Sequence, residues 1–168
     1  MNDLSATLRS KANELSHLEF VSGTPGLYLM LTPPATDEND FAFTTRTASY
    51  ARLMDAARVA QRRMIVALEK TERSPYSTQI SVGRTRNCDV VLREPSVSKL
   101  HAHFFRLDGD HGSEWQLVDR GSANGTSVNG RRLATEAVAV KAGDRVLFGA
   151  VDCLIADGRI LYAELGPA

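Results

Sequence analysis

From residue 63 onward, short β-rich runs alternate with turn residues all the way to the C-terminus. The runs fall at 64–69, 79–82, 90–92, 101–107, 115–119, 126–128, 131–133, 145–148, 151–156 and 159–163, separated by stretches rich in Gly, Asn, Asp and Ser. A repeat of about eight to twelve residues leaves no room for helices between strands, so the pattern predicts an all-β sandwich or barrel. Asn129-Gly130, between 126–128 and 131–133, is the pair that a two-residue hairpin turn requires, because both central positions adopt positive φ. Asp157-Gly158 reads as the same device, which predicts a final hairpin between 151–156 and 159–163.

Residues 1–62 have a different character. Leu4, Leu8, Leu15 and Leu18 recur at helical spacing, predicting one amphipathic helix over about 3–19 with Asn2 or Asp3 as N-cap. Gly23-Thr24-Pro25-Gly26 ends it. Short strands are expected at 27–31 and 41–45 around a polar loop, and a second helix at 49–62, where Tyr50, Leu53, Met54, Ala57 and Ala60 share a stripe. The expected domains are therefore an α/β extension, 1–62, and a β domain, 63–168.

Composition sets the outer limits of function. The 168 residues are 43% hydrophobic and 24% charged, with 20 basic residues balancing 20 acidic ones. That removes collagen-like and disordered classes and argues against general nucleic-acid binding, which draws its affinity from neutralised phosphates. Two cysteines, Cys88 and Cys153, are no disulfide framework. With no apolar stretch near the ~20 residues that span a bilayer and no signal-like N-terminus, a cytoplasmic protein without membrane partners is expected.

The connections of the β region carry groups suited to an anion. Gly83-Arg84, Ser96-Val97-Ser98-Lys99 and Gly121-Ser122-Ala123-Asn124-Gly125 supply a guanidinium, hydroxyls, an ammonium, a carboxamide and loop N–H groups. Between 79 and 106, Arg84, Arg86, Arg93, Lys99 and Arg106 stand against Asp89 and Glu94, a local excess of three positive charges. Gly83-Arg84, Asn87-Cys88-Asp89-Val90-Val91-Leu92, Ser98-Lys99-Leu100-His101-Ala102, the run from Asp119 to Gly130, and the run from Gly143 to Gly149 occur in order. Together they resemble a forkhead-associated (FHA) domain covering roughly 63–163.

The resemblance implies a sandwich of about eleven antiparallel strands whose loops at one end bind a phosphothreonine peptide. Carried over position by position, Arg84 would pair with phosphate oxygens, Ser98 would donate its hydroxyl and Lys99 would add a second charge. Asn124 would hold the peptide main chain just after the phosphothreonine. Gly83, His101, Asn129 and Gly130 would shape the site. Ala123 departs from the family, which usually has Thr or Ser there; a missing hydroxyl would weaken binding by about 1 kcal/mol. Ser122 does not obviously substitute, because adjacent residues point in different directions. Selectivity would depend on the loops around Arg86, Arg93 and Arg120.

Other chemistries lack their companions. Ser96-Val97-Ser98-Lys99 matches the S-x-x-K of serine acyl enzymes without the S-D-N and K-T-G elements. His101 and His103 share a strand face but have no further ligands at metal spacing. The expectation is a non-catalytic protein without metal or cofactor, whose partner is a phosphothreonine-containing protein such as a Ser/Thr kinase or its substrate. The alternative is a phosphate-independent scaffold or oligomerisation module that uses the same fold through the 1–62 extension or the outer sheet.

Overall fold

The computed structural model describes residues 3–31, 63–109 and 112–167. The strand expected at 41–45 and the helix expected at 49–62 lie outside the described residues. Among the described residues, eleven strands form two sheets. One sheet has the order β2 (Met64–Ala67), β1 (Tyr28–Leu31), β11 (Val151–Ala156), β10 (Arg145–Phe148), β7 (Thr126–Val128) and β8 (Arg131–Arg132). The other runs β4 (Val90–Val91), β3 (Gln79–Gly83), β5 (Ala102–Gly109), β6 (Gly112–Asp119) and β9 (Val138–Val140).

The sheets are antiparallel with one exception. β3 and β4 run parallel, Val82 beside Val90 and Gly83 beside Val91. A turn in which the Cys88 N–H donates to Thr85 O at 3.2 Å brings the chain back, and the Leu92 N–H then donates to Gly83 O at 2.9 Å. The Asn129-Gly130 hairpin forms as its dipeptide requires, with φ of 50° and 80° and Val128 opposite Arg131.

Strand β1 explains why the N-terminal segment belongs to the sandwich. Tyr28, Leu29, Met30 and Leu31 are all buried, which demands cover on both faces of the strand. Leu29 and Leu31 enter the core between the sheets with Val82, Phe104, Leu117 and Phe148. Tyr28 and Met30 enter a second core with Leu8, Phe20, Ile65 and Leu161. This second core lies under helices α1 (Ser5–Glu14), α2 (His17–Ser22) and α3 (Gly158–Leu165). At about 1.5–3 kcal/mol for each large side chain removed from water, that burial is ample to hold the helices down. The expected boundary after residue 62 is thus corrected: 3–31 supplies β1, between β2 and β11, and half the helical layer.

Two local expectations are also corrected. The single helix over 3–19 is two helices, because Ser16 starts a new one. Its hydroxyl accepts from the Glu19 N–H at 3.4 Å while its own N–H donates to Glu19 Oε2 at 3.0 Å, the reciprocal box that opens a helix. Leu18 consequently faces solvent, 75% exposed. The strand expected at 159–163 is α3. Asp157 does not turn a hairpin; its carboxylate accepts from the Arg159 and Ile160 N–H groups at 3.1 and 3.0 Å as the N-cap. Leu161 and Leu165, one helical turn apart, are the buried pair. Among the described residues, no helix is long and apolar enough to cross a membrane.

Candidate anion-binding site

Four connections, 84–89, 92–101, 120–125 and 149–150, meet at one end of the sandwich. The closest approach is made at Gly83, where a methyl group would lie 2.3 Å from Lys99 O and 2.8 Å from Cys88 Sγ. Only glycine lets the end of β3 pass this close to the 92–101 loop. Arg84 follows directly. Its N–H donates to Ser98 O at 2.9 Å and its Nε–H to Val97 O at 3.1 Å. Those two bonds clamp one edge of the residue to the loop. The side chain is exposed, and among the described residues its two Nη groups have no hydrogen-bond partner.

His101 locks the loops from within. It is fully buried, its Nδ1 accepts the Ser98 N–H at 3.1 Å, and its Nε2 lies 3.1 Å from Gly125 O. A nitrogen that accepts is unprotonated, so the proton sits on Nε2 and is donated to Gly125 O. Burial pushes the imidazole pKa below its ordinary value, against smaller opposing effects of Gly125 O and Asp119, and so favours this neutral form.

Ser98 is then left with one free function. Its Oγ accepts the Ala123 N–H at 2.9 Å, which leaves its O–H to donate outward. Lys99 is exposed, and its carbonyl accepts the Thr85 hydroxyl at 2.8 Å. Asn124 donates from Nδ2 to Ser96 O at 2.7 Å, and its Oδ1 remains an acceptor. The four expected binding residues therefore sit on loops joined by direct hydrogen bonds, Arg84 to Ser98, Ser98 to Ala123 and Asn124 to Ser96.

Asp119 organises the loop that carries Asn124. Its carboxylate accepts from the Ser122 N–H at 2.8 Å, the Ser122 hydroxyl at 2.6 Å and the Thr126 hydroxyl at 2.7 Å. Burial alone would raise its pKa, but these hydrogen bonds outweigh it and hold the group below the usual carboxylate range. Ser122 is thereby committed inward and cannot replace the hydroxyl missing at Ala123, whose methyl group is exposed.

One site component, the role of Glu94, escaped the sequence reading. Glu94 is 2% exposed and accepts the Ser96 N–H at 2.7 Å together with the Ser96 hydroxyl. Ser96 Oγ in turn accepts the Ala150 N–H at 2.8 Å, tying the loop to the β10–β11 turn. Glu94-Pro95-Ser96 carried that information, as an acidic residue two positions before a serine in a turn. Asn129 and Gly130, in contrast, are not part of the site. They lie at the far end of β7, where Asn129 Oδ1 accepts the Arg145 N–H at 2.9 Å and its Nδ2 donates to Asp144 at 2.9 Å.

The residues from 80 to 149 match the family model of the FHA domain. The match places an FHA domain within the chain, over those residues. The DNA damage response protein kinase DUN1 of Saccharomyces cerevisiae is 41% identical to it over 73 residues, 41% of this chain and 14% of the kinase. The glycogen accumulation regulator GarA of Mycolicibacterium smegmatis is 42% identical over 69 residues, 41% of this chain and 40% of the regulator. Among solved structures, the yeast Dun1 FHA domain in complex with a doubly phosphorylated peptide is 27% identical, with a TM-score of 0.49, covering 79% of this chain and 74% of that one. The chain spans half or less of the length of the curated relatives it matches.

Both cysteines are free and buried. Burial pushes the thiol pKa of both Cys88 and Cys153 upward, away from reactive thiolate character. Asp89 is a structural anchor: it accepts from Lys70 Nζ at 2.8 Å, from the Thr71 N–H at 2.7 Å and from the Ser81 N–H and hydroxyl, each at 2.8 Å. Burial would raise its pKa, yet these donors outweigh it and hold the carboxyl far below its ordinary value.

Proposed function

We propose that this FHA domain is a non-catalytic reader of phosphothreonine peptides. What supports the reading is that Arg84, Ser98 and Lys99 lie on loops joined by hydrogen bonds around the buried His101, and that the Arg84 Nη groups, the Ser98 O–H and the Lys99 ammonium have no acceptor among the described residues. A phosphothreonine brings about −1.5 to −2 charges and three strong acceptor oxygens, which those donors match. In this reading Asn124 holds the peptide main chain beside the phosphate, through whichever of its amide groups Ser96 leaves free. Each charge-assisted hydrogen bond is worth about 1.5–3 kcal/mol. After ordering and desolvation costs, two or three of them give micromolar affinity, about −8 kcal/mol. The partner is a protein phosphorylated by a Ser/Thr kinase, or the kinase itself, and the protein acts in the cytoplasm, where such kinases work.

The exposed methyl of Ala123 favours the second reading, a phosphate-independent scaffold. Titration with a degenerate phosphothreonine peptide pool beside the same pool unphosphorylated separates the two. Micromolar binding of the phosphorylated pool alone supports the reader; equal binding of both pools supports the scaffold.

A further inference from the structure

The loop 92–101 is anchored from within at two separate points. His101 holds its second half through the Ser98 N–H, and with it the link from Ser98 to Arg84. Glu94 holds its first half. The Glu94 carboxylate is 2% exposed, and no ion pair holds it among the described residues. One oxygen, Oε2, accepts both the Ser96 N–H, at 2.7 Å, and the Ser96 hydroxyl. Burying a carboxylate without a countercharge is costly, and here a single serine takes up both of its bonds. That serine is a node. Its Oγ accepts the Ala150 N–H at 2.8 Å and its carbonyl accepts Asn124 Nδ2 at 2.7 Å, so every polar group of Ser96 is spent and three connections meet on it. The β10–β11 turn comes so close that a methyl group at Gly149, where φ is 60°, would lie 2.6 Å from both Ser96 oxygens.

We propose that Glu94 is a positioning residue for the bound peptide's main chain: acting through Ser96, it sets the orientation of the Asn124 carboxamide. This rests on the phosphothreonine reading and deepens it. A carbonyl oxygen can only accept, so Ser96 O decides which end of the carboxamide turns towards it. Nδ2 is drawn in, and Oδ1 is left to accept a peptide N–H. Asn124 is exposed, and no other side-chain hydrogen bond holds it among the described residues, so its orientation follows the place of Ser96 O. That place is fixed by the Glu94 carboxylate on one side and the Ala150 N–H on the other. The two anchors of the loop thus serve different parts of the ligand. His101 sets the donors that meet the phosphate, and Glu94 sets the acceptor that meets the main chain.

The test uses the full chain, one phosphothreonine peptide with its unphosphorylated twin, and inorganic phosphate as a competitor that has no main chain. Glu94→Ala and Asn124→Ala are each expected to weaken phosphopeptide binding about two- to tenfold, the worth of one hydrogen bond. The double variant is expected to bind no more weakly than Asn124→Ala alone, because Glu94 acts through that side chain. Inorganic phosphate should displace the peptide from Glu94→Ala with an inhibition constant within about twofold of wild type, since Ser98 keeps its own anchor on His101. Glu94→Gln, whose one side-chain oxygen can still accept both Ser96 donors, should stay close to wild type. If Glu94→Ala does not fold, Ser96→Ala, which cuts the link between Glu94 and Ala150, is read in the same way. Equal losses for inorganic phosphate and for the peptide overturn the proposal, because the site has then slackened as a whole. Additive losses in the double variant, or undiminished peptide binding in Glu94→Ala, also overturn it, and each of these results leaves the phosphothreonine reading standing. Equal binding of both twins by wild type overturns that reading and the proposal with it.

Discussion

Replacing Ser98 by Ala separates the two bonds of one hydroxyl. In the free protein Ser98 Oγ only accepts, from the Ala123 N–H at 2.9 Å. That N–H belongs to an exposed residue, so water replaces the lost acceptor and the stability cost stays at or below about 1 kcal/mol. For a chain of this size, that lowers the thermal midpoint by about 2–4 °C. The hydroxyl proton is used only when a phosphate is present. A hydrogen bond to a charged group is worth about 1.5–3 kcal/mol, so the variant should bind a phosphothreonine peptide about 10- to 150-fold more weakly. Fluorescence anisotropy with a labelled phosphopeptide reads the affinity, and calorimetric melting reads the stability. Ser98→Thr, which keeps a hydroxyl, should recover part of the affinity. Loss of less than about threefold in Ser98→Ala would refute the reasoning, because it would mean the hydroxyl does not meet the phosphate.

Gly83→Ala places a methyl 2.3 Å from Lys99 O; the backbone must move, which costs about 3 kcal/mol and lowers the thermal midpoint by about 6–12 °C. A midpoint within 2 °C of wild type would show that the loop yields freely. Ala123→Thr should tighten phosphothreonine binding by about 1 kcal/mol, roughly fivefold, and an unchanged Kd in titration would show that the missing hydroxyl is not limiting. Stability should depend on pH through His101 and His103, both buried with pKa lowered from 6.5, first by burial. The unfolded chain binds their protons and the folded chain does not. The stabilisation is therefore complete well above pH 6.5 and is lost as pH falls below it, so melting midpoints measured from pH 8 to 5 should be flat and then decline. A flat profile down to pH 5 would contradict the buried neutral imidazoles.

What could be read from the sequence follows from how local each feature is. The strands from 64 to 156 and the Asn129-Gly130 turn are set by short-range alternation and by φ preferences, and they stand where expected. The close contact at Gly83 had a glycine to mark it. Strand β9 was missed because Val138–Val140 is short and half exposed, which leaves little alternation to read. Helix α3 was mistaken for a strand because Ile160 to Ala163 is a short apolar run behind an Asp-Gly pair, a pattern that suits a strand as well as a helix. Its helical character depends on the Asp157 cap and on an apolar surface offered by α1, α2 and β1, a long-range fact. Glu94 escaped for a similar reason. A glutamate in a turn reads as solvated until the fold is seen to bury it against Ser96. For the candidate site, Arg84, Ser98, Lys99 and Asn124 came from the family resemblance, whereas the inward turn of Asp89 and Glu94 is set by the fold around them.

The central claim rests on Arg84. The most direct measurement compares wild type and Arg84→Ala for binding to one phosphothreonine peptide and to its unphosphorylated twin, with melting curves for both proteins. The account predicts micromolar binding of the phosphorylated peptide by wild type alone, loss of it in the variant, and midpoints within a few degrees, since Arg84 keeps its backbone bond to Ser98 O in either protein. Undiminished binding by the variant, or equal binding of both peptides by wild type, would contradict it.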